Sequence, residues 1–137
     1  MSNRRNFLKK SAAFASLSFF PSSLVSKYNN GRLRTAHVGV GGMGGADLNS
    51  IASHNMVDVV ALCDVDLNAL NKAKKLYPNA ELFSDYRKLF NKASNSIDAV
   101  IVSTPDHTHA PASIMAMKKG KSVYCQKPLT HHVSEAR

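Results

Sequence analysis

The chain has 137 residues, enough for one domain with its own core and too few for two domains of ordinary size. Its formal charge of +9 comes from 18 Lys and Arg against 9 Asp and Glu, but residues 1–26 hold Arg4, Arg5, Lys9 and Lys10 and no acid. The excess left on residues 27–137 is spread over several predicted helices with no interleaved aromatics, a solvated surface and not a nucleic-acid face, and two strand-end cysteines give neither a disulfide framework nor a metal site.

The N-terminus reads Ser2-Asn-Arg-Arg-Asn-Phe-Leu-Lys-Lys, followed by an apolar run from Ser11 to about Val25. This order of basic, apolar and polar regions, too short to span a bilayer comfortably, resembles a bacterial twin-arginine export signal. Residues 1–26 are therefore expected to engage the twin-arginine export machinery. The protein is expected in the periplasm or outside the cell, tethered to the membrane if the segment is not removed. Asn3 stands where Ser or Thr is more usual, and no clean A-x-A cleavage site follows. Residues 27–32, with Asn29-Asn30-Gly31 as breaker, read as a linker.

The folded domain is expected over residues 33–137, opening with a short apolar strand that runs into glycines and then into a helix. Gly39, Gly41 and Gly44 stand at the spacing G-x-G-x-x-G, with Gly42 and Met43 inside the turn. Gly39 lets the strand turn, Gly41 lets backbone approach a pyrophosphate, and Gly44 lets the helix pack closely. Free N–H groups and the positive end of the helix dipole then hold the phosphates. Leu48, Ile51 and Ala52 form the helix's apolar stripe. A second strand, Val57 to Cys63, ends at Asp64, about 20 residues past the last glycine, where an acid meets the adenosine ribose. A carboxylate there repels a 2′-phosphate, and Val65 to Asn68 offer no cation, so NAD is expected over NADP.

Asn68 to Leu76 reads as a helix closed by Pro78, Glu81 to Phe83 as a strand, and Ser84-Asp85 as the cap of a third helix carrying Tyr86, Leu89 and Phe90. Ile97 to Ser103 is apolar almost throughout, as a strand covered on both faces must be. It delivers the polar turn Thr104-Pro105-Asp106-His107-Thr108-His109 to the carboxyl end of the sheet, where ligands bind. A helix over Ala110 to Lys119, stopped by Gly120, leads to the strand Ser122 to Cys125 and a second polar turn, Gln126-Lys127-Pro128-Leu129-Thr130. Strands alternating with helices predict an α/β fold, a doubly wound parallel sheet of Rossmann type. A sixth strand is absent and the sequence stops inside an expected helix start near His131 and His132, so the domain is expected to be incomplete at its C-terminus. In an extended segment His107 and His109 would face the same way. Too few further ligands accompany them for a metal site, and lining the mouth of the cofactor site is the expectation.

Gly39-Val-Gly-Gly-Met-Gly, Cys63-Asp64, Ser103-Thr-Pro-Asp-His-Thr-His and Tyr124-Cys-Gln-Lys-Pro-Leu-Thr, in this order and spacing, resemble the glucose-fructose oxidoreductase / inositol dehydrogenase / MocA family, in the branch with export signals. The resemblance covers residues 33 to 137 and none of the family's second, substrate domain. It implies NAD, a small carbohydrate or polyol substrate, and homo-oligomerisation of the full-length form. It also implies a cofactor site that includes Ser103, Thr104, Pro105, His107, His109, Gln126, Lys127 and Pro128. Lys127 matches the lysine that faces nicotinamide and substrate, where a half-buried amine exchanges a proton with a sugar hydroxyl as hydride leaves the same carbon. The family's usual Glu before this lysine is Gln126 here, which removes a carboxylate that would orient Lys127. The leading expectation is an NAD-dependent oxidoreductase acting on a sugar or polyol. The alternatives are a glycosidase that oxidises and re-reduces its substrate with one held NAD, and a non-catalytic cofactor-binding remnant.

Overall fold

The computed structural model describes residues 31–137. The candidate export signal and residues 27–30 of the predicted linker lie outside the described residues. Five strands, β1 (Leu33–Val38), β2 (Val57–Cys63), β3 (Glu81–Phe83), β4 (Ala99–Val102) and β5 (Ser122–Cys125), form one sheet in the order β3-β2-β1-β4-β5. Every neighbouring pair is parallel. Helices α1 (Gly42–Ala52), α2 (Leu67–Leu76), α3 (Tyr86–Ala93) and α4 (Asp106–Lys118) make the crossovers.

Central β1 is buried from Thr35 to Val38, and its alternating side chains serve two cores. Ala36 and Val38 join Phe83, Phe90, Val100 and Ala112 under α3 and α4. On the other face Leu48 of α1 and Leu70 and Ala73 of α2 close over Val59 and Leu62. Covered on both sides, the sheet is doubly wound as expected. On the α1 side of β4 and β5 the described residues leave a shallow cavity of about 480 Å³ lined by Thr35, Asp47, Ile51, Val123 and half-exposed Tyr124.

Local chemistry sets the helix starts. Asp66 accepts from the Asn68 N–H at 2.8 Å, which starts α2 at Leu67, one residue before the predicted Asn68. Asp85 caps α3 through the Arg87 N–H at 2.9 Å. The larger departure is α4, which begins at Asp106 and not at Ala110. Pro111 sits inside the helix, while Pro105 ends the preceding turn in an extended conformation and Asp106 faces the positive end of the dipole. Strand β4 is also shorter than the predicted Ile97 to Ser103, because Asp98 is taken up by Arg34. The expected helix start after His132 is a single 3₁₀ turn, Val133–Glu135, whose Glu135 carboxylate accepts from the N–H groups of His131 and His132.

At the amino ends of the strands Arg34 Nε donates to Asp98 Oδ2 at 3.0 Å and Arg34 Nη2 to Asp98 Oδ1 at 2.8 Å, while the Arg34 backbone N–H adds a third bond. This ring of bonds raises the Arg34 guanidinium and holds the Asp98 carboxyl below the ordinary carboxylate range.

Candidate functional site

At the carboxyl end of β1 the chain turns at Gly39, whose φ is +86° and whose N–H donates to Cys63 O at 2.8 Å. A Cβ on Gly39 would lie 2.5 Å from Ser103 O, and one on Gly44 would press still closer on Gly39 O. Both positions are closed to any other residue by backbone and not by flexible side chains. Gly41 differs: its backbone is extended, and an added Cβ would touch Ala69 Cβ at 3.3 Å and leave Asp64 Oδ2 at 3.8 Å. Its missing side chain keeps the outer side of the turn open. Gly42, at φ +51°, has open space around it, and Met43 is two-thirds exposed. The first turn of α1 carries neither a side-chain cap nor an acidic residue, which suits its opening N–H groups to an anion.

Asp64 follows β2 and braces this turn. Its Oδ2 accepts from the N–H groups of Val40 at 2.8 Å and Gly41 at 3.2 Å, and its Oδ1 accepts from the Asp66 N–H at 2.9 Å. Of roughly four acceptor directions on a carboxylate, one is left for a ligand. Asp64 borders a cleft of about 440 Å³ with Gly39, Gly41, Tyr86, Arg87, Thr104 and His107. The residues that directly follow Asp64 do not foretell Arg87. It enters from the start of α3, with its guanidinium 5.2 Å from the centre of the Tyr86 ring and 3.5 Å from Asp85. The signal for it is the capped helix start after β3, which the strand order sets beside β2. Cys63, buried beneath, has its thiol pushed up to about 12 by burial and then by the charges of Asp64 and Asp85, so it is a small apolar filler and not a nucleophile.

The second and third turns come from β4 and β5. The Ser103 N–H donates to Val38 O and the Gln126 N–H to Val102 O, both at 2.9 Å, so the two polar turns leave the sheet side by side. Thr104 is half-buried and its Oγ1 has no partner among the described residues. Pro105 and His107 are exposed, and His107 faces the cleft. His109 departs from the mouth-lining expectation. Because α4 already includes residue 107, His107 and His109 are not on one face of an extended segment but about 200° apart around a helix. The ring of His109 is buried, with Nδ1 2.6 Å from Pro128 O and Nε2 2.7 Å from Thr104 O. It joins the two turns from below.

Lys127 is exposed rather than half-buried among the described residues, its peptide bond to Pro128 is cis, and its backbone N–H donates to Gln126 Oε1 at 3.0 Å. Gln126 Nε2 donates to Asp47 of α1, at 3.1 Å to Oδ2 and 3.2 Å to Oδ1, and Ser103 Oγ donates to Asp47 Oδ2 at 2.6 Å. The sequence conceals Asp47, since a polar residue in mid-helix reads as solvated and its partners Ser103 and Gln126 lie 56 and 79 residues away. Nearby His37 is buried, with Nε2 3.2 Å from Thr35 Oγ1 and Nδ1 unpartnered among the described residues. Burial lowers its pKa to about 4, against the smaller opposing pull of Asp47. Among the described residues no three His, Cys, Asp or Glu side chains gather as metal ligands.

Residues 33–137 match the family described as the oxidoreductase family, NAD-binding Rossmann fold (Gfo/Idh/MocA). The chain is 33% identical over 135 residues to a glycosyl hydrolase family 109 protein of Stenotrophomonas maltophilia, covering 90% of this chain and 29% of that protein. It is 34% identical over 109 residues to an inositol 2-dehydrogenase of Rubrobacter xylanophilus, covering 77% and 30%. Two solved structures align with a TM-score of 0.70 over 76% of this chain and 30% of theirs. They are myo-inositol 2-dehydrogenase from Lactobacillus plantarum, 30% identical, and scyllo-inositol dehydrogenase from Lactobacillus casei with NAD(H) and scyllo-inositol bound, 27% identical. The chain spans about 30% of the length of these relatives.

Proposed function

Because the chain belongs to the Gfo/Idh/MocA family and comprises an NAD-binding Rossmann domain, we propose that it is the nucleotide-binding part of an oxidoreductase that oxidises a carbinol carbon of a sugar or polyol. Bound NAD supplies the hydride acceptor. The α1 N-terminus and the Gly39–Gly44 turn hold the pyrophosphate, for which the outer side of the turn, left open at Gly41 and Gly42, has room. The remaining acceptor direction of Asp64 takes a ribose hydroxyl and repels a 2′-phosphate, which selects NAD over NADP. Lys127 takes the substrate hydroxyl proton as hydride leaves the same carbon.

The observation that carries this reading is the adjacency, at one end of the sheet, of the glycine turn braced by Asp64 and the Gln126-Lys127-Pro128 turn. Titration calorimetry with NAD and NADP tests the first half: Asp64→Ala should weaken NAD and relax rejection of NADP, and Gly41→Val should weaken both. Equal NAD affinity in all three proteins would sink the assignment. For the second half, Lys127→Ala in the enzyme carrying its substrate domain should cut turnover on a panel of sugars and polyols by about 10²–10⁴ while leaving NAD affinity nearly unchanged.

A second reading, an NAD-dependent glycosidase, is favoured by the likeness to a glycosyl hydrolase family 109 protein over 90% of this chain. Release of a chromogenic aglycone without net NADH formation distinguishes it. The Arg4-Arg5 pair supports export by the twin-arginine route. Replacing both with Lys keeps the charge and removes the guanidinium pair, so periplasmic recovery should fall.

A further inference from the structure

The turn that carries Lys127 is bonded to α1 through the side chain of Gln126. Asp47 presents both oxygens to Gln126 Nε2, at 3.1 and 3.2 Å, and receives Ser103 Oγ–H at 2.6 Å. The amide at 126 serves both bonds at neutral pH, because its nitrogen donates to Asp47 while its oxygen accepts from the Lys127 N–H at 3.0 Å. A carboxylate at 126 would face that of Asp47 at about hydrogen-bond distance, where both cannot stay ionised.

We propose that Asp47 is a positioning residue for Lys127, acting through Gln126. The carboxylate nearest Lys127 through this pair of bonds stands on α1, the helix that opens on the glycine turn. The lysine-bearing turn is thereby tied to the element that takes the pyrophosphate, and Ser103 adds the β4 turn to the same tie. The inference rests on the reading of Lys127 as the proton-transfer group, but the tie itself can be measured without substrate.

The test is amide hydrogen exchange at Lys127, followed by NMR on the full chain, in Asp47→Ala, Gln126→Glu and the double variant Asp47→Asn with Gln126→Glu. Asp47→Ala leaves the acceptor of the Lys127 N–H in place, yet its exchange should rise tenfold or more because Gln126 is no longer held. Gln126→Glu should give a similar rise relative to the parent at neutral pH, shrinking toward acid pH as the facing carboxylates share a proton. The double variant exchanges amide and carboxylate between the two positions. The amide now on α1 donates to the carboxylate now on the β5 turn, and its oxygen still accepts from Ser103. Exchange at Lys127 should return to within threefold of the parent. The sheet amide of Ile101 serves as the control for folding. Unchanged Lys127 exchange in Asp47→Ala, or no recovery in the double variant while Ile101 stays protected, would overturn the proposal. If Asp47→Ala fails to fold, Gln126→Glu against the double variant decides it. Full turnover of Lys127→Ala would instead remove the catalytic reading and leave the tie standing.

Discussion

The two ends of the sheet solve opposite problems with the same kinds of groups. At the amino end a guanidinium and a carboxylate, Arg34 and Asp98, satisfy each other through two bonds, to which the Arg34 backbone N–H adds a third. At the carboxyl end the carboxylates Asp64 and Asp47 are bonded to turns instead, to the N–H groups of Val40 and Gly41 and to the side chains of Ser103 and Gln126, and Lys127 at the end of the last turn is exposed. A charge pair that closes on itself has little left to offer a ligand. Carboxylates that brace backbone leave other backbone groups free to bind, and that is where parallel sheets carry their sites.

The largest test of this contrast concerns the glycines. Gly39→Ala combines a left-handed φ with a 2.5 Å approach to Ser103 O, and we expect a loss of about 3 kcal/mol or more by urea denaturation. Gly120→Ala shares the left-handed φ, at +72°, but meets nothing within 4 Å, and should cost only about 1–2 kcal/mol. Equal losses would mean that conformation alone, and not the crowded carboxyl end, demands Gly39.

His37 gives the next effect, read by pH. Its folded pKa of about 4 lies below the ordinary 6.5, so the unfolded chain takes up the proton first. The stability linked to this ring is complete above about pH 6.5 and is lost as pH falls toward 4, an effect of about 3 kcal/mol. His37→Asn should flatten the urea-midpoint profile across that window. A profile unchanged by the substitution would refute the buried neutral ring.

Asp98 should give the smallest effect and in a lower window. Its folded pKa is depressed below the ordinary 3.8, so its contribution is complete above about pH 4 and disappears as pH falls through the depressed value. Asp98→Asn should cost about 1–2 kcal/mol at pH 7 and leave NAD affinity unchanged. A change in NAD affinity would show that the two ends of the sheet are coupled.

What the sequence makes legible here is whatever rests on spacing within one βα unit. The glycine turn, the strand ending at Asp64 and the cap at Asp85 each depend on residues a few positions apart or on one fixed offset. The doubly wound sheet is legible for the same reason, as strands alternating with helices. The features that stay hidden depend on meetings across the sheet. Arg87 reaches the Asp64 cleft only because β3 lies beside β2, and Asp47 meets Ser103 and Gln126 from 56 and 79 residues away. His109 is misplaced because the helix that carries it begins at Asp106, before the predicted Ala110, which places an expected loop residue in the first turns of a helix.

The imidazole of His109 has a mechanical consequence. It stands between Thr104 O and Pro128 O and is closed off from solvent, so the chain from 104 to 128 forms a circuit, out along α4 and back along β5, fastened at its mouth. Neither turn can swing outward alone without tearing a contact from the same ring. The two turns are therefore fastened to each other through one buried ring, and a ligand that holds either turn bears on the same imidazole that holds the other.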